Sequence, residues 1–200
     1  MKRLITIVMF SFLGLAVLST GCGPAEWSEA SLSGHGYTVH FKMPKPFTRT
    51  QGSLDSGTGR TLFESGYVTE GDEDHKFQVR VMELPVSAWK MDAIGPYEIV
   101  TLALNRENGG IDKMLDVKPL TDPNWPENVK SAEEFMIVSG DKKIIRHTRI
   151  LVYESQGREN YGCYVLLTAS RPVDEARSHD VDRFFESLKI CTDDNKPGGC

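Results

Sequence analysis

The densest run of residues able to do chemistry is Arg146-His147-Thr148-Arg149. Alternate side chains of a strand share a face, so His147 and Arg149 would stand together as an imidazole beside a guanidinium, a pair suited to an anion. The plainer expectation is the wet face of an antiparallel strand, or Arg149 paired with a carboxylate across the sheet. A second run, Glu70-Gly71-Asp72-Glu73-Asp74-His75, offers the several oxygens that a hard divalent cation requires. A solvated hairpin tip accounts for it equally simply. His179 and Asp180 open an apolar-striped segment near the C-terminus, where an acidic residue suits the positive end of a helix. Trp89 and Trp125 lie in proline-flanked stretches; they are candidate surface aromatics for a protein, sugar or peptide contact, or else satellite core beneath a loop. The sequence holds no Gly-x-Ser-x-Gly elbow, P-loop, His-Glu-x-x-His, Gly-x-Gly-x-x-Gly or EF-hand loop, so the common mechanisms have no foothold. No catalytic residue, metal ligand or cofactor is assigned.

The four cysteines sort by position. Lys2 and Arg3 precede an apolar run from Leu4 to Leu18, and small residues follow at Ser19, Thr20 and Gly21. That is the order of a signal peptide, and about 15 apolar residues make a helix of about 22 Å, short of a roughly 30 Å hydrocarbon core. Leu18-Ser19-Thr20-Gly21-Cys22-Gly23 resembles the lipobox of bacterial lipoproteins, with Ser19 where a leucine is usual. The resemblance implies cleavage before Cys22, lipidation on it and membrane anchoring, because several acyl chains on one residue hold a soluble domain firmly. An ordinary secretory signal is the alternative.

Export implies an oxidising compartment in which disulfides persist. Once Cys22 carries lipid, Cys163, Cys191 and Cys200 remain, and their spacing matches no zinc pattern. A strand from Cys163 to Ala169 travels about 20 Å, and a helix from about Ser178 to Leu188 returns about 16 Å, which brings Cys191 toward Cys163. A Cys163–Cys191 bridge is therefore expected. Cys191–Cys200 is its competitor, and a free buried Cys163 is the remaining possibility.

The elements that must carry these residues follow from periodicity. Residues 1–21 read as signal, 22–36 as a lipidated tether, 37–191 as one domain and 192–200 as a mobile tail. Tyr37, Val39 and Phe41 alternate with polar residues, and Pro44 and Pro46 end that strand. Thr61 to Thr69 and His75 to Leu84 complete a first meander. Tyr97, Val100 and Leu104 fall on one helical face, stopped by Asn108-Gly109-Gly110. Met114 to Leu120 reads as a short strand, and Ala132 to Val138, Lys143 to Tyr153 and Asn160 to Ala169 form a second meander. Val181, Phe184, Phe185 and Leu188 recur at i, i+3, i+4 and i+7, a stripe that must lie on a sheet. The predicted class is α+β: an antiparallel sheet built of two meanders with two main helices packed on it.

Tyr37-x-Val39-x-Phe41-x-x-Pro44, Glu83-Leu84-Pro85, Tyr164-Val165-Leu166-Leu167-Thr168-Ala169 and Arg183-Phe184-Phe185-Glu186-Ser187-Leu188 together resemble the PsbP-like sandwich domains, including exported lipoproteins of the DcrB type. The likeness covers about Tyr37 to Ile190. It implies an accessory, assembly or binding role and no catalytic residues.

Removal of Lys2 and Arg3 leaves 21 basic against 28 acidic residues, a domain that repels nucleic-acid phosphates overall. The expected partners are the membrane, through the lipid on Cys22, and an unidentified envelope protein or ligand. The sequence thus points to a non-catalytic binding or assembly module tethered in the envelope. An envelope hydrolase with a site assembled from scattered residues is the alternative.

Overall fold

The structure, a computed structural model, describes residues 26–55, 61–70, 72–85, 113–122, 125–127, 129–154 and 161–192. Ten strands and one α-helix run in chain order among them: β1 (Trp27–Gly34), β2 (Tyr37–Pro44), β3 (Phe47–Asp55), β4 (Thr61–Thr69), β5 (Phe77–Pro85), β6 (Lys113–Pro119), β7 (Val129–Val138), β8 (Ile144–Glu154), β9 (Tyr161–Pro172), α1 (His179–Glu186) and β10 (Lys189–Thr192).

They form two antiparallel sheets, one of three strands in the order β1-β2-β10 and one of seven in the order β3-β4-β5-β9-β8-β7-β6. This overturns the predicted α+β sandwich with two main helices. The fold is mostly β, with one helix among the described residues. The expected first helix, around Tyr97 to Leu104, lies outside them.

The reason for the error is specific. Tyr37 to Pro44 does alternate as a half-buried strand should, but its partners are β1 and β10 rather than the meander that follows. The true first meander is β3-β4-β5, and β3 takes in the first five residues of the Gly-rich stretch from Gln51 to Gly59, whose composition reads as a hairpin connection. Likewise, the expected tether is already strand from Trp27. Only Ala30 and Leu32 alternate as inward apolar residues, between exposed Glu29, Ser31 and Ser33, and pairing with β2 through eight consecutive register positions makes it a strand. Gly36, at φ +79°, supplies the left-handed conformation that the two-residue turn between β1 and β2 needs.

The core lies between the sheets. Tyr37, Val39, Phe41 and Met43 of β2 meet Val79 and Val81 of β5, Leu151 and Tyr153 of β8, and Cys163, Val165, Leu167 and Ala169 of β9. Val181, Phe184 and Phe185 of α1 close one side of it, as the apolar stripe requires. Serial burial continues on the other face of the large sheet, where Met82, Phe135, Ile137, Ile150, Tyr164 and Leu166 are also buried. Strand β8 has no wet face.

Strand parity decides the cysteines. Ile190 pairs with Val39 and Cys191 with Thr38, and opposed residues point the same way while neighbours along a strand alternate. Ile190 therefore enters the core beside Val39, and Cys191 lies on the outer face of the small sheet. Cys163 sits inside the core as a free thiol. The expected Cys163–Cys191 bridge is not formed. The length argument placed the two cysteines at the same end of the domain, but it carried no information about facing. Cys191 is disulfide-bonded elsewhere.

Candidate functional site

Charged side chains gather where α1 crosses the core-side face of β7 and β8. Glu134 stands opposite Arg149 in the β7–β8 ladder. Arg149 donates from Nη2 to Glu134 Oε2 at 2.8 Å and from Nη1 to the Phe185 carbonyl at 3.0 Å. Arg177 donates to Glu134 Oε1 at 3.1 Å and to Asp182 Oδ1 at 2.7 Å. Both guanidinium groups lie over the Phe185 ring, at 5.0 and 5.6 Å from its centroid, a cation–π arrangement. Burial alone would raise the Glu134 carboxyl, but the hydrogen bonds from Arg149 and Arg177 outweigh it and hold it below its ordinary value. His147, on the same face, accepts from Arg171 Nε at 2.9 Å. Burial, and then the charges of Arg177 and Arg171, push His147 down to about 4.

These contacts settle what the Arg146–Arg149 run does. Arg149 is the arginine paired with a cross-strand carboxylate, and His147 is buried at 2% exposure. Neither is a surface ligand. The cluster ties the strap before α1, and α1 itself, to the large sheet.

Stability should accordingly fall in acid. A histidine whose folded value lies near 4, against 6.5 when exposed, contributes stability that is complete above pH 6.5 and lost as pH falls toward 4. The lowered Glu134 extends the loss below pH 4.5, since its stabilisation is present above its unfolded value and disappears on protonation. Melting temperature measured from pH 7 to pH 4 should drop, with His147 supplying at most about 3 kcal/mol. His147→Gln should flatten the upper part of that curve. A parent melting temperature constant between pH 7 and pH 5 would contradict this account.

A second polar cluster lies at the β1–β2 turn. Glu83 Oε1 accepts from the His35 backbone N–H at 3.0 Å and from Tyr37 OH at 2.9 Å, and lies 3.2 Å from His35 Nδ1. Gly34 lets these groups converge, because a Cβ there would collide with Glu83 Oε1 and Tyr37 OH. Cys163 is beside Tyr37, and burial drives both the thiol and the phenol far above their ordinary values. A nucleophilic cysteine needs the opposite, a stabilised thiolate open to substrate. The imidazole, carboxylate and thiol are therefore a structural cluster.

A cavity of another kind opens beside the small sheet. It measures about 570 Å³ and is lined by Glu29, His40, Lys42, Arg183, Glu186 and Lys189, with Ser187 and Phe41. The even residues of β2 place His40 and Lys42 on the outer face of the small sheet, and Lys189 of β10 stands directly opposite His40. The end of α1 supplies Arg183 and Glu186. The helix end is held down by Ser187, whose Oγ accepts from the Lys42 backbone N–H at 2.9 Å and donates to the Phe184 carbonyl at 2.7 Å. Arg183 lies 4.5 Å from the Trp27 ring centroid. Sequence reasoning missed this site. His40 and Lys42 read as the wet side of a strand, and Lys189 gains its place only from β10, a strand that the sequence reading, which ends the closing helix at Leu188, does not include.

The remaining candidates resolve quickly. Trp125 is half-buried against the core with Leu120 and Val129, the satellite role. Trp89 and Cys22 lie outside the described residues. His75 pairs with Glu175 at 2.9 Å, and no group of three or more His, Cys, Asp or Glu among the described residues could hold a metal ion. His179 and Asp180 are exposed at the start of α1. No helix among the described residues is long and apolar enough to cross a membrane.

No family model and no curated protein matches the chain. A solved structure described as LpqN, involved in cell envelope biogenesis of Mycobacterium tuberculosis, is similar at 15% identity, over 82% of this chain and 91% of that one, with a TM-score of 0.38. A likeness that distant carries no argument about fold or function.

Proposed function

We propose that the chain is a lipoprotein anchored through Cys22 in a bacterial envelope, and that its domain is a binding or assembly module rather than a catalyst. The observation that carries the second half is the contrast between sealed and open groups. The thiol of Cys163 and the imidazole of His147 are buried, and each is held in its neutral form. The open cavity offers charged side chains, the His40 imidazole and the Ser187 hydroxyl, which accepts from the Lys42 N–H and gives its proton to the Phe184 carbonyl. Such a lining holds a ligand and gives it nothing activated to react with. The first half rests on the signal-like start and on Cys22.

Cys22→Ala tests the anchor. Membranes washed at about 1 M salt, where charge attraction beyond about 3 Å is screened, should retain the parent protein and release the variant into the soluble envelope fraction. A variant that still sediments after that wash excludes lipid anchoring at Cys22.

A further inference from the structure

We infer that the cavity between the small sheet and the end of α1 receives the phosphate of an anionic lipid headgroup, in the membrane that holds the Cys22 anchor. The inference rests on the anchored reading above.

Charge accounting is the first ground. Of the cations lining the cavity, Lys42 is matched by Glu29 at 3.1 Å. Arg183 and Lys189 have no carboxylate within ion-pair distance among the described residues. The Arg183 guanidinium rests instead on the Trp27 ring. Three cations therefore face the two carboxylates of Glu29 and Glu186 in the lining, a local excess of one positive charge in a chain of net charge −5, opposite in sign to the overall field. Lys189 also faces His40 directly across the β2–β10 ladder. The residue opposite the Lys189 ammonium is thus an imidazole and not a carboxylate, and a phosphate between Lys189 and Arg183 would be held through charge-assisted hydrogen bonds.

Position and size are the second ground. Strand β1 begins at Trp27, five residues after Cys22, and so short a stretch spans at most about 17 Å. The end of the domain that carries Trp27 and Arg183 is thereby confined near the lipid surface. A volume of about 570 Å³ is in the ordinary range for a small-molecule site. Glu29 and Glu186, also in the lining, supply acceptors for the hydroxyl hydrogens of a headgroup such as glycerol.

The test uses the full chain in nonionic detergent, read by tryptophan emission. Trp27→Phe identifies the Trp27 signal, which should change when Arg183 leaves the ring. Dihexanoyl phosphatidylglycerol should produce a saturable change, and dihexanoyl phosphatidylcholine and inorganic phosphate a much weaker one. Arg183→Gln and Lys189→Glu should each weaken the response about tenfold while melting at the parent temperature. Lys118→Glu, a charge change equal to that of Lys189→Glu but on the far edge strand β6, should leave it unaltered. Absence of any saturable response, or an equal loss in Lys118→Glu, overturns the proposal. Inorganic phosphate binding as tightly as phosphatidylglycerol assigns the site to free phosphate and overturns the headgroup. Mass spectrometry of the N-terminal peptide separates the two readings: acylated Cys22 with no lipid response sinks the cavity alone, and a lipid response with unmodified Cys22 sinks the anchor alone.

Discussion

Truncation of Phe184 or Phe185 to Ala is expected to cost about 3 to 5 kcal/mol in each case, a large share of the roughly 5 to 15 kcal/mol that stabilises a domain. Both rings are essentially inaccessible, at 0% and 1% exposure, but they do different work. Phe184 meets Phe77 edge-on at 5.2 Å, and Phe77 in turn meets Trp27 at 5.9 Å, so its loss opens a void between α1 and both sheets. Phe185 carries the Arg149 and Arg177 guanidinium groups on its face. Phe185→Leu should therefore keep most of the packing and lose the cation–π part, costing less than the alanine variant. Urea or thermal unfolding of the purified variants measures this. Parent-like stability in both alanine variants would mean that α1 does not close the core.

Glu134→Ala should be the most damaging single change of charge, at about 3 kcal/mol. Removing one member of a buried pair leaves the others desolvated and unmatched, a loss of about 3 to 5 kcal/mol for full burial. Glu134 and Arg149 keep 19% and 18% of their side chains exposed, which places the expectation at the lower end. Arg149 and Arg177 would be left facing each other beside His147. The double variant Glu134→Ala with Arg149→Met should be less damaging than the sum of the two single changes, because the stranded guanidinium is gone. A cost under about 0.5 kcal/mol for Glu134→Ala would make this an ordinary surface pair.

How much of this was legible in the sequence differs by element. Phe184 and Phe185 were, because helical spacing reports which residues share a face whatever they pack against. The strands from Lys113 to Pro172 were, because turn residues bracket each apolar run. Sheet membership was not. Val39 alternates identically whether its neighbour is Ile190 or a residue of the next strand, and no local signal separates those cases. Strand β1 was hidden for a related reason: an edge strand whose inward face offers only Ser28, Ala30 and Leu32 carries a short apolar pattern, and its register with β2 is information that two segments share. The cavity followed the same rule, since Lys189 meets His40 only through that pairing. His147 and Arg149 illustrate the reverse, residues conspicuous in sequence that burial turned into structure.

Strands β1 and β2 share a sheet with β10, so Val39 waits for Ile190, about 150 residues later in the chain. Polypeptides emerge N-terminus first, from a ribosome or a secretion pore, and the small sheet cannot close until residues 189–192 have come out. In the interval β2 has an open edge on the β10 side, and the row Tyr37, Val39, Phe41 and Met43 has no α1 to cover it. Unpaired edges beside apolar rows invite association with other chains. Closure of the small sheet is thus held back until β10 has emerged, and interruption before residue 189 is the lesion to which this topology is most exposed.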